Sequence, residues 1–490
     1  MCVHKRHGNL LFWVKTETHN EKSQFIQFFN NIKIKMLRTF VGAQKYLGLV
    51  NRKCTQAASM KLCTAHIAPL TSILSIRHYA PPTHIKQSAV PNDSGTMSEI
   101  KQQMMQRLGL EPGYQPLPKS REHLLKYQPK LEELPARAMQ DSFTSAIIPL
   151  STNRSLQDKY VTYLGNVRMG RLLEDMDMFA AWCCHKHLVV PQLPADVHLP
   201  YTFVTILVDR IDFANTVASG TEDIRLSGHV SWVGTSSMEV VVWLEQMQNG
   251  GYKKLTRALF LMAARNATNT AAAPVNPIKP ANEEESVILA GGIDRKRQRQ
   301  LLCAQSIFKV EPNDPEQTLM YELYKRTTPT DTMELNKRIL PPNCRWMSDS
   351  YQMSTIPSFP EHRNHHNRVF GGFLMRTALE ISWAAAVLYC KTRPKLEHIS
   401  DISFEKPVSV DSFIKMTAYV VYTKLNYVQI MTVAEVLDPH SGSQVTTNTF
   451  YYTFSAPHTV TEVLPRSYHE TMWYLQGRRK FEYSMGLKKT

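Results

Sequence analysis

Two stretches decide the fold: Gly165-Asn-Val-Arg-Met-Gly170-Arg-Leu-Leu-Glu-Asp-Met-Asp177 and, further on, Asn364-His-His-Asn-Arg-Val-Phe-Gly371-Gly372-Phe-Leu-Met-Arg-Thr-Ala-Leu-Glu380. Each sets glycine ahead of a long helix-compatible segment, running on to His187 in the first copy and Tyr389 in the second. In the first, Leu172, Leu173, Met176, Phe179, Ala180 and Cys183 recur at spacings of three and four, the signature of a half-buried helix. The second is apolar nearly all round after Glu380, which predicts full burial.

Strand-like segments follow each helix. They cover 202–212, 224–232, 238–246 and 255–264 in the first half, and 399–406, 413–422, 427–436 and 446–454 in the second. They are rich in Val, Ile, Thr, Tyr and Phe, and turn residues such as Gly250-Gly251 separate them. One long helix and then a meander of strands, twice over, predicts an α+β chain in which an antiparallel sheet wraps each helix. Strands that do not alternate with helices exclude a Rossmann pattern. Periodicity alone leaves other duplicated α+β folds open.

The expected organisation is a targeting segment at 1–79, a helical and irregular lead-in at 80–149, a first domain at 150–280, a helical connector at 281–345, a second domain at 346–465 and a tail at 466–490. Helices are expected at 98–108, 282–302 and 314–326, the last opened by Asn313-Asp314-Pro315.

The formal charge of +15 suggests a nucleic-acid or membrane partner until its placement is seen. Residues 1–79 hold twelve Lys and Arg against Glu17 and Glu21, a net +10, which leaves +5 for the rest of the chain. A basic, nearly acid-free N-terminus reads as a mitochondrial matrix-targeting presequence. Met36 offers an alternative start and Arg77-His78-Tyr79-Ala80 a processing site. Nucleic-acid binding is therefore not expected. The 8 cysteines form no C-x-x-C pair, which fits reduced thiols in a reducing compartment. No run of 18 uncharged apolar residues occurs, so no integral membrane segment is expected.

The two quoted stretches, together with Ile224-Arg-Leu-Ser-Gly-His-Val-Ser-Trp-Val-Gly-Thr-Ser-Ser-Met-Glu-Val240 and Phe404-Glu-Lys-Pro-Val408, resemble the double-hotdog acyl-CoA thioesterases, in particular the mitochondrial thioesterase 9 group. The resemblance spans roughly residues 160–455. It implies two tandem hotdog domains with substrate in the cleft between them, hydrolysis of acyl-CoA to free acid and coenzyme A, no cofactor, and assembly into homo-oligomers. It also implies an asparagine before one helix working with an acidic residue on the other. Aligning Gly170 with Gly372 puts Asn364 at the asparagine position, where the first half has Thr162, and Asp177 at the acidic position, where the second has Leu379. One composite site is thus complete and its counterpart is not.

The chemistry asks for these residue types. Water needs a carboxylate to orient it and take its proton, the role expected of Asp177, either so or as a direct nucleophile. The thioester oxygen needs donors already aimed at it, expected from the backbone at Gly371 and Gly372. Asn364 offers a mixed donor and acceptor. Glu380 is a possible second acid, with a buried pairing role as the plainer reading. Arg168, Arg171 and Arg368 are possible contacts for the coenzyme phosphates, with a solvated surface as the default. The histidines near residue 364 and Cys183-Cys184-His185-Lys186-His187 match no metal-ligand spacing, so no metal is expected. Gly234-Thr-Ser-Ser-Met238 lacks the second glycine of a nucleophile elbow, against a serine hydrolase. A non-catalytic acyl-CoA-binding scaffold is the rival reading.

Overall fold

The apolar stripes of the two quoted stretches do form helices, Met169–His187 and Gly371–Cys390. The computed structural model describes residues 95–110, 120–213, 218–332, 334, 337–362, 364 and 368–487, all within the unit His78–Thr490. The expected presequence and processing site lie outside the described residues.

In chain order the elements are β1 (Gly95–Thr96), α1 (Met97–Leu108), β2 (Thr144–Ile148), α2 (Arg154–Tyr160), α3 (Met169–His187), β3 (Tyr201–Val208), β4 (Ile211–Asp212), β5 (Ile224–Val233), β6 (Ser237–Gln248) and β7 (Gly251–Asn266). Next come α4 (Glu283–Ala304), α5 (Asp314–Thr327), β8 (Cys344–Trp346), β9 (Gln352–Pro357), α6 (Gly371–Cys390), β10 (Lys395–Ile399) and β11 (Ile402–Ser403). The chain continues with β12 (Phe413–Lys424), β13 (Tyr427–Leu437), β14 (Gln444–Ser455), β15 (Glu462–Leu464) and α7 (Tyr468–Ser484).

Among the described residues the result is an α+β structure with two large, mainly antiparallel sheets and a small parallel pair of β8 with β15. One has the order β1-β2-β5-β6-β7-β3-β11 and the other β4-β10-β14-β13-β12-β9. Helix α3 packs on β5, β6 and β7, α6 packs on β12, β13 and β14, and the two helices pack on each other. The stripe of α3 is buried as expected, and each fully buried Leu or Phe contributes about 1.5–3 kcal/mol.

The expected strands at 202–212 and 399–406 each split in two, and the pieces go to different sheets. β3 stays with the first sheet while β4 joins β10, pairing Ile211 with Ile399. β11 crosses the other way and joins β3, pairing Ile402 with Val208. The crossings fall at Asp209-Arg210 and Ser400-Asp401, where the Arg210 N–H donates to Asp401 Oδ1 (3.0 Å). An alternating apolar pattern shows that a segment lies in a sheet, not which sheet each part of it joins.

Three further expectations are corrected. Segment 466–490 is no mere tail: it contains α7, capped by Ser467, whose Oγ accepts from Glu470 N–H. The lead-in before residue 149 supplies β2, an inner strand of the first sheet. Helix α6 is not buried all round, because only the faces toward the sheet and α3 are covered; Leu388 is 57% exposed. By length and composition α6 is the one helix among the described residues apolar enough to cross a membrane, and it serves here as a core helix.

The connector helix α4 is docked rather than free. Glu239 on β6, fully buried, accepts from Arg295 (2.6 Å) and from Arg299, and Arg299 also holds Asp209 (2.8 Å).

Candidate active site

Among the described residues, five α-helices are capped by a side chain at their own start: Thr96, Asn153, Asn282, Asn313 and Ser467. The central helices α3 and α6 begin at Arg168 and Phe370 with no such cap. For α6 the partner comes from the other half. The Gly372 N–H donates to Asp177 Oδ2 (2.8 Å), and Thr205 Oγ1 on β3 donates to Oδ1 (2.6 Å). Asp177 therefore sits where a free helix N–H and the positive dipole end favour a carboxylate.

Asp177 is only 1% exposed. Burial pushes its carboxyl up to about 6, against the pull of the Thr205 and Gly372 hydrogen bonds, and the Glu174 charge pushes the same way as burial. A carboxylate so placed is ionised at neutral pH yet a better proton acceptor than an ordinary aspartate. Asp175, also pushed up, to about 7, accepts from Tyr160 Oη (2.6 Å) within the first half. Asp177 is the one joined to the second half.

The glycines matter here for space. A β-carbon on Gly372 would stand 2.9 Å from Glu174 Cα, and one on Gly371 would stand 3.2 Å from Phe404 Cζ and 3.4 Å from Asp177 Oδ2. Gly372 lets α6 touch α3, and Gly371 avoids crowding Phe404 and the carboxylate. The expectation that both glycines present N–H groups to substrate is modified, since the Gly372 N–H is committed to Asp177.

Asn364 lies in the loop before α6. Its Oδ1 accepts from Arg368 N–H (3.1 Å), and its own N–H donates to Arg368 O (2.7 Å), closing a tight loop. These contacts tie Asn364 to its loop. Arg368 is exposed and its strand-like backbone pairs with Ser409. Arg168 and Arg171 are engaged, with Glu380 (2.5 Å) and Glu174 (2.9 Å). Glu380 is corrected on one count: it pairs, but on the surface, with its side chain 42% exposed. The apolar side of α6 faces inward and carries Glu380 out to the rim.

Sequence reasoning missed Thr205, Phe404 and the Glu174–Arg376 ion pair (2.6 Å), and it weighed His362 only for metal, whereas His362 stacks on Phe373 at 3.9 Å between ring centroids. A threonine in a strand reads as ordinary strand composition, so Thr205 carried no signal. The missing caps did carry one: neither Arg168 nor Phe370 is a capping residue. Among the described residues, no group of three His, Cys, Asp or Glu is placed to hold a metal.

A buried carboxylate of one half thus caps the central helix of the other. No family model matches the chain. The mitochondrial acyl-coenzyme A thioesterase 9 of Mus musculus is 38% identical over 364 residues, 74% of this chain and 82% of that protein. Its Homo sapiens counterpart is 37% identical over 353 residues, 72% of this chain and 80% of that one. Among solved structures, an acyl-CoA hydrolase from Staphylococcus aureus aligns over 29% of this chain and 92% of its own at 22% identity, with a TM-score of 0.28. The chain is an acyl-CoA thioester hydrolase. It belongs to the acyl-coenzyme A thioesterase family that holds the mitochondrial thioesterases 9 and 10.

Proposed function

We propose that the two halves are tandem hotdog domains and that hydrolysis runs in one composite cleft between them, on Asp177 and Asn364. The observation that carries this is the Gly372 N–H of the second half donating to the buried Asp177 of the first. Substrate enters past Gly371, which adds no β-carbon to the passage. Asp177 takes a proton from water as the water oxygen attacks the thioester carbon. The oxygen that gains charge is met by the start of α6 at Gly371 and by the Asn364 amide. Collapse of the tetrahedral intermediate breaks the C–S bond, and the sulfur leaves as coenzyme A thiol, taking the proton back from Asp177. The free acid keeps the new oxygen. No cofactor enters this scheme.

Arg368, exposed beside Asn364, is the better placed of the three arginines for a coenzyme phosphate, because Arg168 and Arg171 already serve carboxylates. The counterpart cleft, with Thr162 and Leu379 in place of the two polar groups, is catalytically silent. The basic first 79 residues, with the mitochondrial naming of the relatives, support delivery to the mitochondrial matrix, and the chain is expected to assemble as a homo-oligomer.

The test uses purified full chain and acyl-CoAs of several lengths. Wild type should hydrolyse them, and Asp177→Ala and Asn364→Ala should each lose about 10²–10⁴-fold in kcat. A fully active Asp177→Ala sinks the site, and Glu380→Ala becomes the next variant to assay. Protease protection of the imported chain in isolated mitochondria tests the matrix, and light scattering the oligomer.

A further inference from the structure

The two central helices cross on a local two-fold that the numbering makes visible. A β-carbon on Gly170 would meet Arg376 Cγ at 3.1 Å and Arg376 O at 3.3 Å. One on Gly372 would meet Glu174 Cα at 2.9 Å and Glu174 O at 3.1 Å. Gly372 and Gly170 are 202 residues apart, and so are Arg376 and Glu174. Each glycine thus rests on the residue one helical turn past the other glycine. Positions 174 and 376 are the same place in the two halves, brought face to face across the crossing.

Two copies of one sequence would put the same residue on both sides of that point. Here the sides carry opposite charge, and Arg376 Nη1 donates to Glu174 Oε2 at 2.6 Å with side chains only 15% and 23% exposed. The guanidinium also lies 5.1 Å above the Phe373 ring, which fixes its plane. Arg171 donates to the same Glu174 oxygen at 2.9 Å. Asp177 follows Glu174 by three residues on α3, on the face turned to α6. The register of the crossing therefore sets the Gly372 N–H over Asp177 at 2.8 Å.

We propose that the Glu174–Arg376 ion pair is the positioning element of the hydrolytic site, locking the helix crossing that delivers the Gly372 N–H to Asp177. This rests on the composite site proposed above. Neither residue touches the reacting atoms. Their effect reaches substrate through the carboxylate they hold in place, so it appears in kcat and leaves KM nearly alone.

The experiment compares steady-state acyl-CoA hydrolysis by the full chain in wild type, Arg376→Glu, Arg376→Gln, Glu174→Arg and the charge-reversed double variant, with Asp177→Asn in parallel. Arg376→Glu places two carboxylates together and should lower kcat about tenfold or more, with KM moving less than about threefold. Arg376→Gln, close in length and neutral, covers a failure of Arg376→Glu to fold, and should lose about three- to tenfold. The double variant should recover about fivefold or more over either charge-reversed single, short of wild type because Arg171 then faces a like charge. Wild-type kcat in both Arg376 variants, or a double variant no better than its singles, overturns the proposal. If Asp177→Asn stays active, the composite site falls and this role with it. If Asp177→Asn is inactive while Arg376→Glu runs at the wild-type rate, the site stands and the ion pair's role alone falls.

Discussion

Replacing Asp177 by Asn should disable the enzyme and stabilise the fold. The carboxyl is pushed from its ordinary 3.8 up to about 6, chiefly by burial. That gap corresponds to a cost of about 3 kcal/mol for holding the ionised form in the folded chain at neutral pH. The sign follows from proton binding. Between pH 3.8 and about 6 the folded state holds the Asp177 proton and the unfolded state has released it, so stability falls as pH rises through that window. Below it both states are protonated and the cost vanishes. Asparagine carries no charge, and its amide can keep both partners: the oxygen accepts from Gly372, and the NH2 donates to a rotated Thr205 hydroxyl. Urea midpoints for wild type and Asp177→Asn, measured from pH 4 to 8, should show the variant ahead by up to about 3 kcal/mol at the upper end and level near the lower. Its kcat should be down about 10²–10⁴-fold. A variant no more stable than wild type at pH 7.5, or ahead by the same margin at every pH, refutes the claim that the carboxylate is held at a cost.

The same carboxyl predicts that kcat falls as pH drops through about 6, since the base must be deprotonated, and a pH–rate profile with no acid limb there contradicts it. Thr205→Val keeps the shape and removes a donor, so the acid limb should move to higher pH and stability should drop by about 1.5–3 kcal/mol, read from the profile and a melt. Gly372→Ala forces a β-carbon to 2.9 Å from Glu174 Cα; the helices must part, with about 1–3 kcal/mol of lost stability and a larger loss of kcat than of substrate affinity. Glu239→Gln leaves Arg295 and Arg299 short of their shared carboxylate and should cost about 3–5 kcal/mol in chemical denaturation while leaving the pH profile in place.

The duplicated helices were legible because a three-and-four apolar spacing is a local property, and Leu172 through Cys183 carry it without help from the rest of the chain. The long strands were legible for the same reason, through alternation and turn residues. The crossing of strands between sheets was not. Ile211 and Ile402 are apolar whichever sheet they join, and the choice depends on partners almost two hundred residues away. Helix α7 could have been found: Ser467 with Glu470 three residues on is a capping signal, and Trp473, Leu475 and Phe481 follow it. The resemblance pointed to Asp177 but not to the groups packed around it. Thr205 comes from a strand, Gly372 from another half, and Glu174 and Arg376 become a pair only when two helices meet.

The exchange of β4 and β11 makes each half depend on the other at the edge of its sheet. Each half finishes its sheet with a strand that it does not own. Cut apart, the first half would uncover the β3 edge at Leu207 and Val208 and the second the β10 edge at His398 and Ile399, short stretches of unpaired backbone open to another strand. Separating the halves would therefore leave backbone groups without the partners they have in the joined chain.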